Sequence, residues 1–113
     1  MSDGRILRLA EERVLASHSA RVCVSDLCDA ARVSERTLQT ACRETIGMSP
    51  VAFLKRVRLH GARRVLREAP RRSTTVSAVA MRWGFWHFGE FSVGYKALFG
   101  VSPSKTLREG RSA

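Results

Sequence analysis

One sequence pattern occurs twice in this chain, about fifty residues apart, and this repeat limits the fold more than any other feature. The stretch from Val24 to Val33 matches the stretch from Val76 to Phe85 at its apolar positions, with an offset of 52 residues. Farther on, Ile46–Pro50 matches Phe99–Pro103 with an offset of 53 residues, so one copy has one extra turn residue. In a chain of 113 residues, such a repeat indicates two copies of one small supersecondary unit.

Each copy is predicted to consist of two short helices joined by a tight turn. In the first copy, Ser34 is a suitable N-cap for the second helix, and Gly47 is a suitable residue to end it. In the second copy, Thr75 is the expected cap of the first helix, Gly84 makes the turn, and Gly100 ends the second helix. Two helices around a tight turn are typical of the helix-turn-helix motif, whose second helix enters the DNA major groove. The second helices are expected to bury Leu38, Ala41, Cys42 and Ile46 in the first copy and Phe91, Tyr95, Leu98 and Phe99 in the second.

The segment between the copies is predicted to be one long helix. Ser49 can cap it, Pro50 suits its first turn, and no further proline occurs until Pro70. About 19 residues at a rise of about 1.5 Å give a rod of about 28 Å, which is close to one turn of B-DNA at about 34 Å. We therefore expect this connector to place two recognition helices in successive major grooves. Gly61 costs about 1 kcal/mol relative to alanine and is expected to mark close packing or a slight bend.

These elements predict an all-α chain of about seven helices, in which two helix-turn-helix subdomains are joined by a long central helix. Residues 1–48 are expected to form an N-terminal helix and the first subdomain, residues 49–69 the connecting helix, and residues 70–113 the second subdomain with a C-terminal tail. The two ends, residues 1–4 and 108–113, are expected to be frayed.

The charge distribution points to nucleic acid. The net charge is +10, but residues 1–33 hold five basic and five acidic groups and are neutral. Residues 34–72 hold ten basic and three acidic groups, whereas residues 73–113 hold five and two. The positive excess thus begins at the first recognition helix and follows the connector. Clustered Lys and Arg are typical of a nucleic-acid-binding protein, although they also occur on ordinary solvated helix faces.

The chain resembles the DNA-binding domain of the AraC/XylS transcription regulators over about residues 5 to 108. The most specific resemblance lies in Gly84-Phe85, Phe91, Tyr95-Lys96 and Leu98–Pro103, and the variant Gly-Phe-Trp-His at residues 84–87 occurs in some members. The resemblance implies sequence-specific binding to double-stranded promoter DNA by two major-groove helices. It also implies contact with RNA polymerase, usually to activate transcription. Many members have an N-terminal effector-binding or dimerisation domain, so the chain is either a naturally short regulator or a C-terminal fragment.

In the first motif, the resemblance implies base contacts by Arg36, Gln39 and Thr40 and a phosphate contact by Arg43. The residue types agree with these roles, because they are predicted on the polar side of the helix. Arg36 has the donors to pair bidentately with guanine, and Gln39 can pair bidentately with adenine. The alternative is that all four are ordinary exposed polar residues.

The second motif departs from the family pattern. The resemblance places Phe88, Gly89, Ser92 and Val93 at its base-contacting positions, and this set is poor in hydrogen-bonding groups. We therefore expect asymmetric reading, in which the first motif specifies sequence. The second motif then mainly positions the protein through His87, Ser92, Lys96 and backbone amides. Apolar contact of Phe88 or Val93 with thymine methyl groups is an additional option.

The three cysteines do not predict a metal site, a cofactor or a redox centre. Cys23, Cys28 and Cys42 form no C-x-x-C pair, and the histidines are scattered at positions 18, 60 and 87. By the repeat, Cys28 and Cys42 correspond to apolar positions and Cys23 to the cap Thr75, so small buried hydrophobes are the better account. An odd number of cysteines without a signal sequence is expected in a reducing cytoplasm.

Two other classes of protein are less compatible with the sequence. An enzyme is not expected, because no Gly-rich phosphate loop or metal-ligand spacing is present and the ten carboxylates are scattered. A non-specific cationic module that binds nucleic acid or membrane surfaces would explain the charge. It would not explain two capped helix-turn-helix motifs or the 44% hydrophobic content. No apolar run approaches the ~20 residues of a membrane span.

Overall fold

The computed structural model describes residues 2–17, 21–70 and 72–110, and over these residues the chain forms seven helices and no strand. The predicted all-α class is therefore confirmed. The chain divides into two compact units, one ending at Arg58 and the other beginning at Leu59. In chain order the helices are α1 (Asp3–Ser17), α2 (Val24–Ala31), α3 (Glu35–Ile46), α4 (Pro50–Glu68), α5 (Val76–Arg82), α6 (Phe88–Phe99) and α7 (Pro103–Gly110).

In the first unit, α1, α2, α3 and the beginning of α4 share a core of aliphatic and cysteine side chains with one phenylalanine. The guanidinium of Arg58 donates a hydrogen bond to the carbonyl oxygen of Val22, and burial lowers the pKa of this arginine. Ile46, expected on the apolar side of α3, is instead 37% exposed, because it lies at the helix end beside the C-cap Gly47. The buried side chains are Ile6, Leu7, Ala10, Val14, Val22, Leu27, Cys28, Ala31, Leu38, Ala41, Cys42, Phe53, Leu54 and Val57.

In the second unit, aromatic rings take the place of much of that aliphatic core. The rings of Phe85 and Phe91 lie 4.9 Å apart, those of Phe91 and Tyr95 5.7 Å, and those of Tyr95 and Phe99 4.6 Å. The buried hydroxyl of Tyr95 donates a hydrogen bond of 2.8 Å to Oγ1 of Thr106, which joins α6 to α7. Phe91 and Tyr95 are fully buried as predicted, whereas Phe99 is only half-buried.

The repeated Gly-x-Ser-Pro element ends one helix and begins the next in both copies. Gly47 and Gly100 are the C-caps of α3 and α6, with φ of 67° and 78°, a conformation that glycine adopts without steric cost. Two residues later, Ser49 Oγ accepts the N–H of Ala52 at 3.1 Å, and Ser102 Oγ accepts the N–H of Lys105 at 3.2 Å. These serines cap α4 and α7, so the capping role predicted for Ser49 is confirmed.

Gly61 marks close packing inside the second unit rather than a break in α4. A Cβ atom at this position would overlap the indole ring of Trp83, which is fully buried. The absence of a side chain therefore lets α4 and the end of α5 approach each other, and α4 runs unbroken from Pro50 to Glu68. Of the two expectations for this glycine, close packing is confirmed.

The expectation of frayed ends is wrong for the described residues. Helix α1 already begins at Asp3, because the carbonyl oxygen of Ser2 accepts the N–H of Ile6 at 3.1 Å, and Ile6 is buried. Helix α7 continues to Gly110, where a Cβ atom would lie 2.7 Å from the carbonyl oxygen of Arg67. Both ends are thus held by packing that sequence periodicity does not show. Residues 1, 18–20, 71 and 111–113 lie outside the described part. His18 and one residue of the segment after Pro70 are therefore not described.

Candidate nucleic-acid interface

Helix α3 is held at its start by the N-cap that the sequence predicts. Oγ of Ser34 accepts the backbone N–H of Thr37 at 3.1 Å, and the two hydroxyl groups are 3.0 Å apart. Leu38, Ala41 and Cys42 are buried against the first unit and fix the side that faces inward. The opposite side of α3 is therefore free to face DNA.

The four residues predicted to contact DNA in the first motif all lie on α3. Arg36, Thr40 and Arg43 are spaced four and three residues apart, so they share the side opposite the buried residues. Gln39 lies beside them, three residues after Arg36. Arg36, Gln39 and Arg43 are exposed, and Thr40 is half-buried. The helix thus offers two guanidinium groups, an amide and a hydroxyl on one surface, which are groups that pair with base edges and phosphates.

The predicted residues of the second motif lie at the start and along the exposed side of α6. His87 is the N-cap residue but makes no side-chain capping hydrogen bond. By the repeat, Gly89, Val93 and Lys96 take the places of Arg36, Thr40 and Arg43, and all three are exposed. Phe88 is exposed in the first turn, and Ser92 is half-buried.

The exposed side of α6 is more apolar than that of α3. Val93 is 72% exposed, Phe88 is 51% exposed, and Trp86 in the preceding turn is 69% exposed. The only side-chain charges on described residues of α6 belong to Glu90, in its first turn, and Lys96, in its last. This surface holds few hydrogen-bonding groups but much accessible hydrocarbon.

Sequence reasoning missed three exposed residues of the second unit. Trp86, just before α6, is 69% exposed, and Met81, near the end of α5, is 52% exposed. Ala97 is exposed and lies four residues after Val93, so it continues the same side of α6. The spacing of Gly89, Val93 and Ala97 was the signal that could have identified the last of these.

The turn between the two helices of each motif contains a residue with positive φ at the same repeat position. Arg32 has φ of 57° and Gly84 has φ of 90°, and the two are 52 residues apart. The turn predicted at Gly84 is therefore confirmed. In the first motif an arginine adopts this backbone conformation, which costs a non-glycine residue about 1–2 kcal/mol.

The cysteines divide into two buried residues and one exposed residue. Burial raises the pKa of the Cys28 and Cys42 thiols, so both stay protonated near neutral pH, as expected of small core residues. Cys23 is exposed, so the interpretation as a buried hydrophobe is wrong for this residue. It precedes α2 as its N-cap, where its N–H donates to the Asp26 carboxylate at 2.8 Å and its thiol donates to the same group at 3.2 Å.

Positive charge continues beyond the recognition helices onto α4. An open cavity of about 420 Å³ in the second unit is lined by three arginines, one histidine and one glutamate of α4 and by the end of α7. Nε of Arg64 lies 3.9 Å from the Glu68 carboxylate, an exposed pair of the kind that contributes little to stability. The guanidinium of Arg63 lies 4.8 Å from the centre of the Phe99 ring. The lining residues are His60, Arg63, Arg64, Arg67, Glu68 and Gly110.

Neither a metal cluster nor a membrane helix is found within residues 2–17, 21–70 and 72–110. Over these residues, no three His, Cys, Asp or Glu side chains are grouped so that they could hold a metal ion. The helices in the same part of the chain are too short or too polar to cross a bilayer.

Comparison with known proteins shows helix-turn-helix regulators over almost the whole chain. A family model described as a helix-turn-helix domain matches residues 27–109. The chain is 39% identical over 103 residues to the probable thc operon regulatory protein of Rhodococcus erythropolis, a match that covers 91% of this chain and 31% of that protein. It is 34% identical over 100 residues to the HTH-type transcriptional activator RhaS of Citrobacter koseri, covering 88% and 34%. The chain thus spans about a third of the length of these two relatives.

A solved structure extends this similarity to the fold. The probable AraC family transcriptional regulator from Rhodopseudomonas palustris CGA009 superimposes with a TM-score of 0.75 at 35% sequence identity. The match covers 94% of this chain and 97% of that chain. The two chains are therefore similar in both sequence and fold over nearly their full lengths.

Proposed function

This chain belongs to the AraC/XylS family of helix-turn-helix, DNA-binding transcription regulators, and we propose that it reads promoter DNA asymmetrically. In this proposal α3 selects the sequence by hydrogen bonds, and α6 mainly holds the second motif in register. The observation that supports it is the contrast between the outward sides of the two helices. Arg36 and Thr40 on α3 correspond to Gly89 and Val93 on α6.

The first motif supplies the base-reading groups. A bidentate pair between Arg36 and guanine, or between Gln39 and adenine, discriminates against a wrong base by about 1–3 kcal/mol. Thr40 adds a hydroxyl and a methyl group on the same side of α3. The cap at Ser34 and the buried side of α3 hold these residues on a rigid element, so little ordering remains to be done on binding.

Phosphate contacts are proposed for Arg43 in the first motif and for His87 and Lys96 in the second. Arg43 and Lys96 occupy the same repeat position, one turn beyond the base-reading residues, and both are exposed. Each phosphate contact releases condensed counterions, so each charge adds about one unit to the slope of log K against log salt. These contacts set position and affinity without carrying sequence information.

Helix α4 is proposed to set the spacing of the two half-sites. It is a continuous helix of 19 residues, as the sequence predicted. At a rise of about 1.5 Å per residue it is about 28 Å long, near the ~34 Å between successive major grooves on one face of B-DNA. In the same proposal, residues 1–48, 49–69 and 70–113 act as first reading subdomain, spacer and second reading subdomain.

The family also supplies proposals about partners and cellular context. We propose that the bound protein activates transcription by contacting RNA polymerase, a proposal supported by its similarity to the transcriptional activator RhaS. An effector-binding or dimerisation domain on the N-terminal side is a further proposed partner, supported by the greater length of the relatives. We further propose that the protein acts in the cytoplasm and catalyses no reaction.

Selection of bound sequences from a random duplex library, at near-physiological salt with competitor DNA, tests this function. We expect a motif with one sharply defined half and a second, less defined half about ten base pairs away. Two equally sharp halves would contradict asymmetric reading while leaving sequence-specific binding in place. Salt-sensitive binding without any motif would instead support the alternative of a non-specific cationic binder of nucleic acid or membrane surfaces.

A further inference from the structure

The open cavity beside α4 in the second unit carries an excess of positive charge to which the proposed function gives no role. We infer that this cavity, called the arginine cavity below, binds a small polyanion whose charge is carried by phosphate or by neighbouring carboxylates. The inference goes beyond DNA reading and does not depend on which helix selects the sequence. The cavity is lined by His60, Arg63, Arg64, Arg67, Glu68 and Gly110.

The spacing of the lining residues places them together on one side of α4. They recur at intervals of three and four residues from His60 to Glu68, so their side chains are neighbours on the helix surface. The other side of the same stretch is buried, with Leu59, Ala62 and Leu66 in the core. Three arginines against one glutamate leave the lining with a net formal charge of +2 when the histidine is neutral.

The ring of Phe99, the last residue of α6, holds two of the lining groups in place. The guanidinium of Arg63 lies 4.8 Å from the centre of this ring, a cation–π contact of about 0.5–1 kcal/mol at an exposed site. The ring of His60 meets the same phenylalanine edge-on, with ring centres 5.1 Å apart. A guanidinium and an imidazole are thus held beside each other before a ligand arrives, which lowers the entropy cost of binding.

The guanidinium groups of Arg63 and Arg67 both lie near the buried hydroxyl of Tyr95. Burial raises the pKa of Tyr95, whereas its hydrogen bond to Thr106 and then the charges of Arg63 and Arg67 oppose that rise. The third arginine is held only weakly, because Nε of Arg64 is 3.9 Å from the Glu68 carboxylate and both side chains are about 70% exposed. Such an exposed ion pair contributes little, so a bound anion can compete with it.

The end of α7 turns this positive side of α4 into a concave site. A Cβ atom at Gly110 would lie 2.7 Å from the carbonyl oxygen of Arg67, so the lack of a side chain permits this close approach. The negative end of the α7 dipole amounts to about half a charge, which leaves the lining positive. The volume of about 420 Å³ falls within the range of about 300–1,000 Å³ that is usual for small-ligand sites.

The chemistry of the lining selects the class of ligand. A guanidinium presents a planar fork of N–H donors that matches two oxygens of a phosphate or carboxylate group. Three such forks offer more donors than a single carboxylate can accept, so a ligand with several anionic oxygens fits better than a monoanion. A small molecule can enter a concave site from solvent, whereas the DNA backbone is met by side chains that project outward, such as Lys96.

Isothermal titration calorimetry of the purified chain without DNA tests this inference. Inorganic pyrophosphate and citrate are the two probes, each titrated at constant ionic strength against chloride, and they distinguish phosphate from carboxylate ligands. We expect at least one probe to bind with a stoichiometry of one. Arg67→Gln should weaken that binding about tenfold, because it removes hydrogen bonds to a charged group. Arg56→Gln is the matched control, since it removes an exposed arginine of α4 that does not line the cavity.

A second pair of variants tests the sign of the effect. Glu68→Gln removes the one carboxylate among the lining residues and releases Arg64, so it should strengthen binding of the probe about threefold. Glu44→Gln makes the same change of charge on α3, in the first unit, and should leave binding unchanged. Because the substituted side chains are exposed, all four variants should melt at the temperature of the unchanged protein, which circular dichroism verifies.

Three outcomes would overturn the inference and leave the proposed function standing. In the first, neither probe binds. In the second, Arg56→Gln weakens binding as much as Arg67→Gln, or the two glutamate variants strengthen it equally, so that binding follows net charge alone. In the third, the probes fail to bind while Arg67→Gln lowers both the affinity for DNA and its salt dependence, which would assign the cavity to the DNA interface. Selection of sequences from the random library uses neither probe, so failure of the proposed function is seen separately.

Discussion

Helices α3 and α6 occupy the same place in two copies of one motif, yet they present opposite chemistry to solvent. Both have 12 residues, and both end at a glycine with positive φ. Their buried positions also match, since Leu38 and Cys42 correspond to Phe91 and Tyr95, all four fully buried. The outward sides differ, with arginine and threonine on α3 against glycine and valine on α6. The scaffold thus depends on turn, end and core positions, and the outward side is left free to set binding.

The two cores show that the same arrangement of helices accommodates different types of buried side chain. The first unit buries aliphatic side chains, two cysteines and Phe53, whereas the second buries the rings of Trp83, Phe91 and Tyr95 beside its aliphatic side chains. Larger rings in the second unit require a glycine at position 61, where the indole of Trp83 takes the space of a side chain. Volume is therefore balanced between neighbouring helices, as expected of close-packed interiors.

Among variants that test the difference between α3 and α6, Arg36→Ala is expected to have the largest effect. Removing a bidentate contact to guanine should cost about 1–3 kcal/mol of binding free energy and relax the preference at one base pair. The matched variant Gly89→Ala changes the corresponding residue of α6 and should leave affinity almost unchanged. Anisotropy titrations with the selected operator and its single-base variants measure both. Equal weakening on every sequence would show that Arg36 contacts a phosphate instead.

A smaller effect, on stability, is expected at the turn that both motifs share. Gly84→Ala forces a Cβ atom into the left-handed region and should lower the free energy of unfolding by about 1–2 kcal/mol. In the first motif, Arg32→Gly relieves that strain but gives the unfolded chain more freedom, so we expect a change of less than about 1 kcal/mol. Urea unfolding followed by circular dichroism compares the two variants. A larger loss from Arg32→Gly than from Gly84→Ala would show that the arginine side chain itself stabilises the turn.

The helix caps are expected to contribute about 1 kcal/mol each. Ser34→Ala removes the hydroxyl that accepts the Thr37 N–H and should destabilise the protein by about that amount. His87→Ser supplies a cap that α6 lacks, so it should stabilise by up to about 1 kcal/mol. Thermal unfolding should therefore shift downward in the first variant and upward in the second. An unchanged melting temperature in His87→Ser would indicate that backbone geometry at this residue prevents capping.

The smallest effect is expected from the acidic group at the start of α2. The hydrogen bond from the Cys23 N–H, followed by that from its thiol, lowers the pKa of Asp26 below its ordinary value of 3.8. A carboxyl with a lowered pKa stabilises the fold above its ordinary value, and this contribution is lost as pH falls through the lowered pKa. Asp26→Asn should therefore reduce the slope of stability against pH below about pH 4.

The second motif provides the control for this acid response. Ala78 stands at the repeat position of Asp26, and its N–H is accepted by Oγ1 of Thr75 at 3.1 Å, a cap that no proton can weaken. Ala78→Ser should leave the pH dependence as it is. If Asp26→Asn leaves the acid slope unchanged, the hydrogen bonds from Cys23 do not lower the pKa of Asp26 in the folded chain relative to the unfolded chain.

Much of the fold could be predicted because the decisive residues act locally. Glycine at 47, 84 and 100 and serine at 34 and 49 fix helix ends through their own backbone and hydroxyl groups, and repetition makes such a pattern visible. The start of α1 at Asp3 depends on the hydrogen bond from Ile6 to Ser2 and on the burial of Ile6. The extension of α7 to Gly110 depends on contact with Arg67, which is distant in sequence and is not encoded in periodicity. The exposure of Cys23 has a local cause, because it is the N-cap of α2, as Thr75 is of α5, and the repeat already indicated that position.

The candidate site could be predicted only in part. Positions on the outward side of α3 and α6 follow from the repeat and from helical spacing, so their placement is within reach of the sequence. Exposure of Trp86, in contrast, depends on how the turn before α6 leaves the core, and it was not foreseen. The base that each side chain contacts depends on the sequence of the bound DNA, so the pairing of Arg36 with guanine stays a prediction.

The placement of the two tryptophans makes the tryptophan fluorescence of the protein specific to its second unit. Both lie in the second unit, Trp83 enclosed beside Gly61 and Trp86 open to solvent. Intrinsic fluorescence excited at the indole band therefore reports on one motif and is silent about the other. With Trp86→Phe, only Trp83 emits, so the emission maximum should be blue-shifted and should move to longer wavelength when the second unit unfolds. With Trp83→Phe, the emission should be red-shifted and quenched when α6 meets DNA, so the engagement of the second motif can be timed without a label.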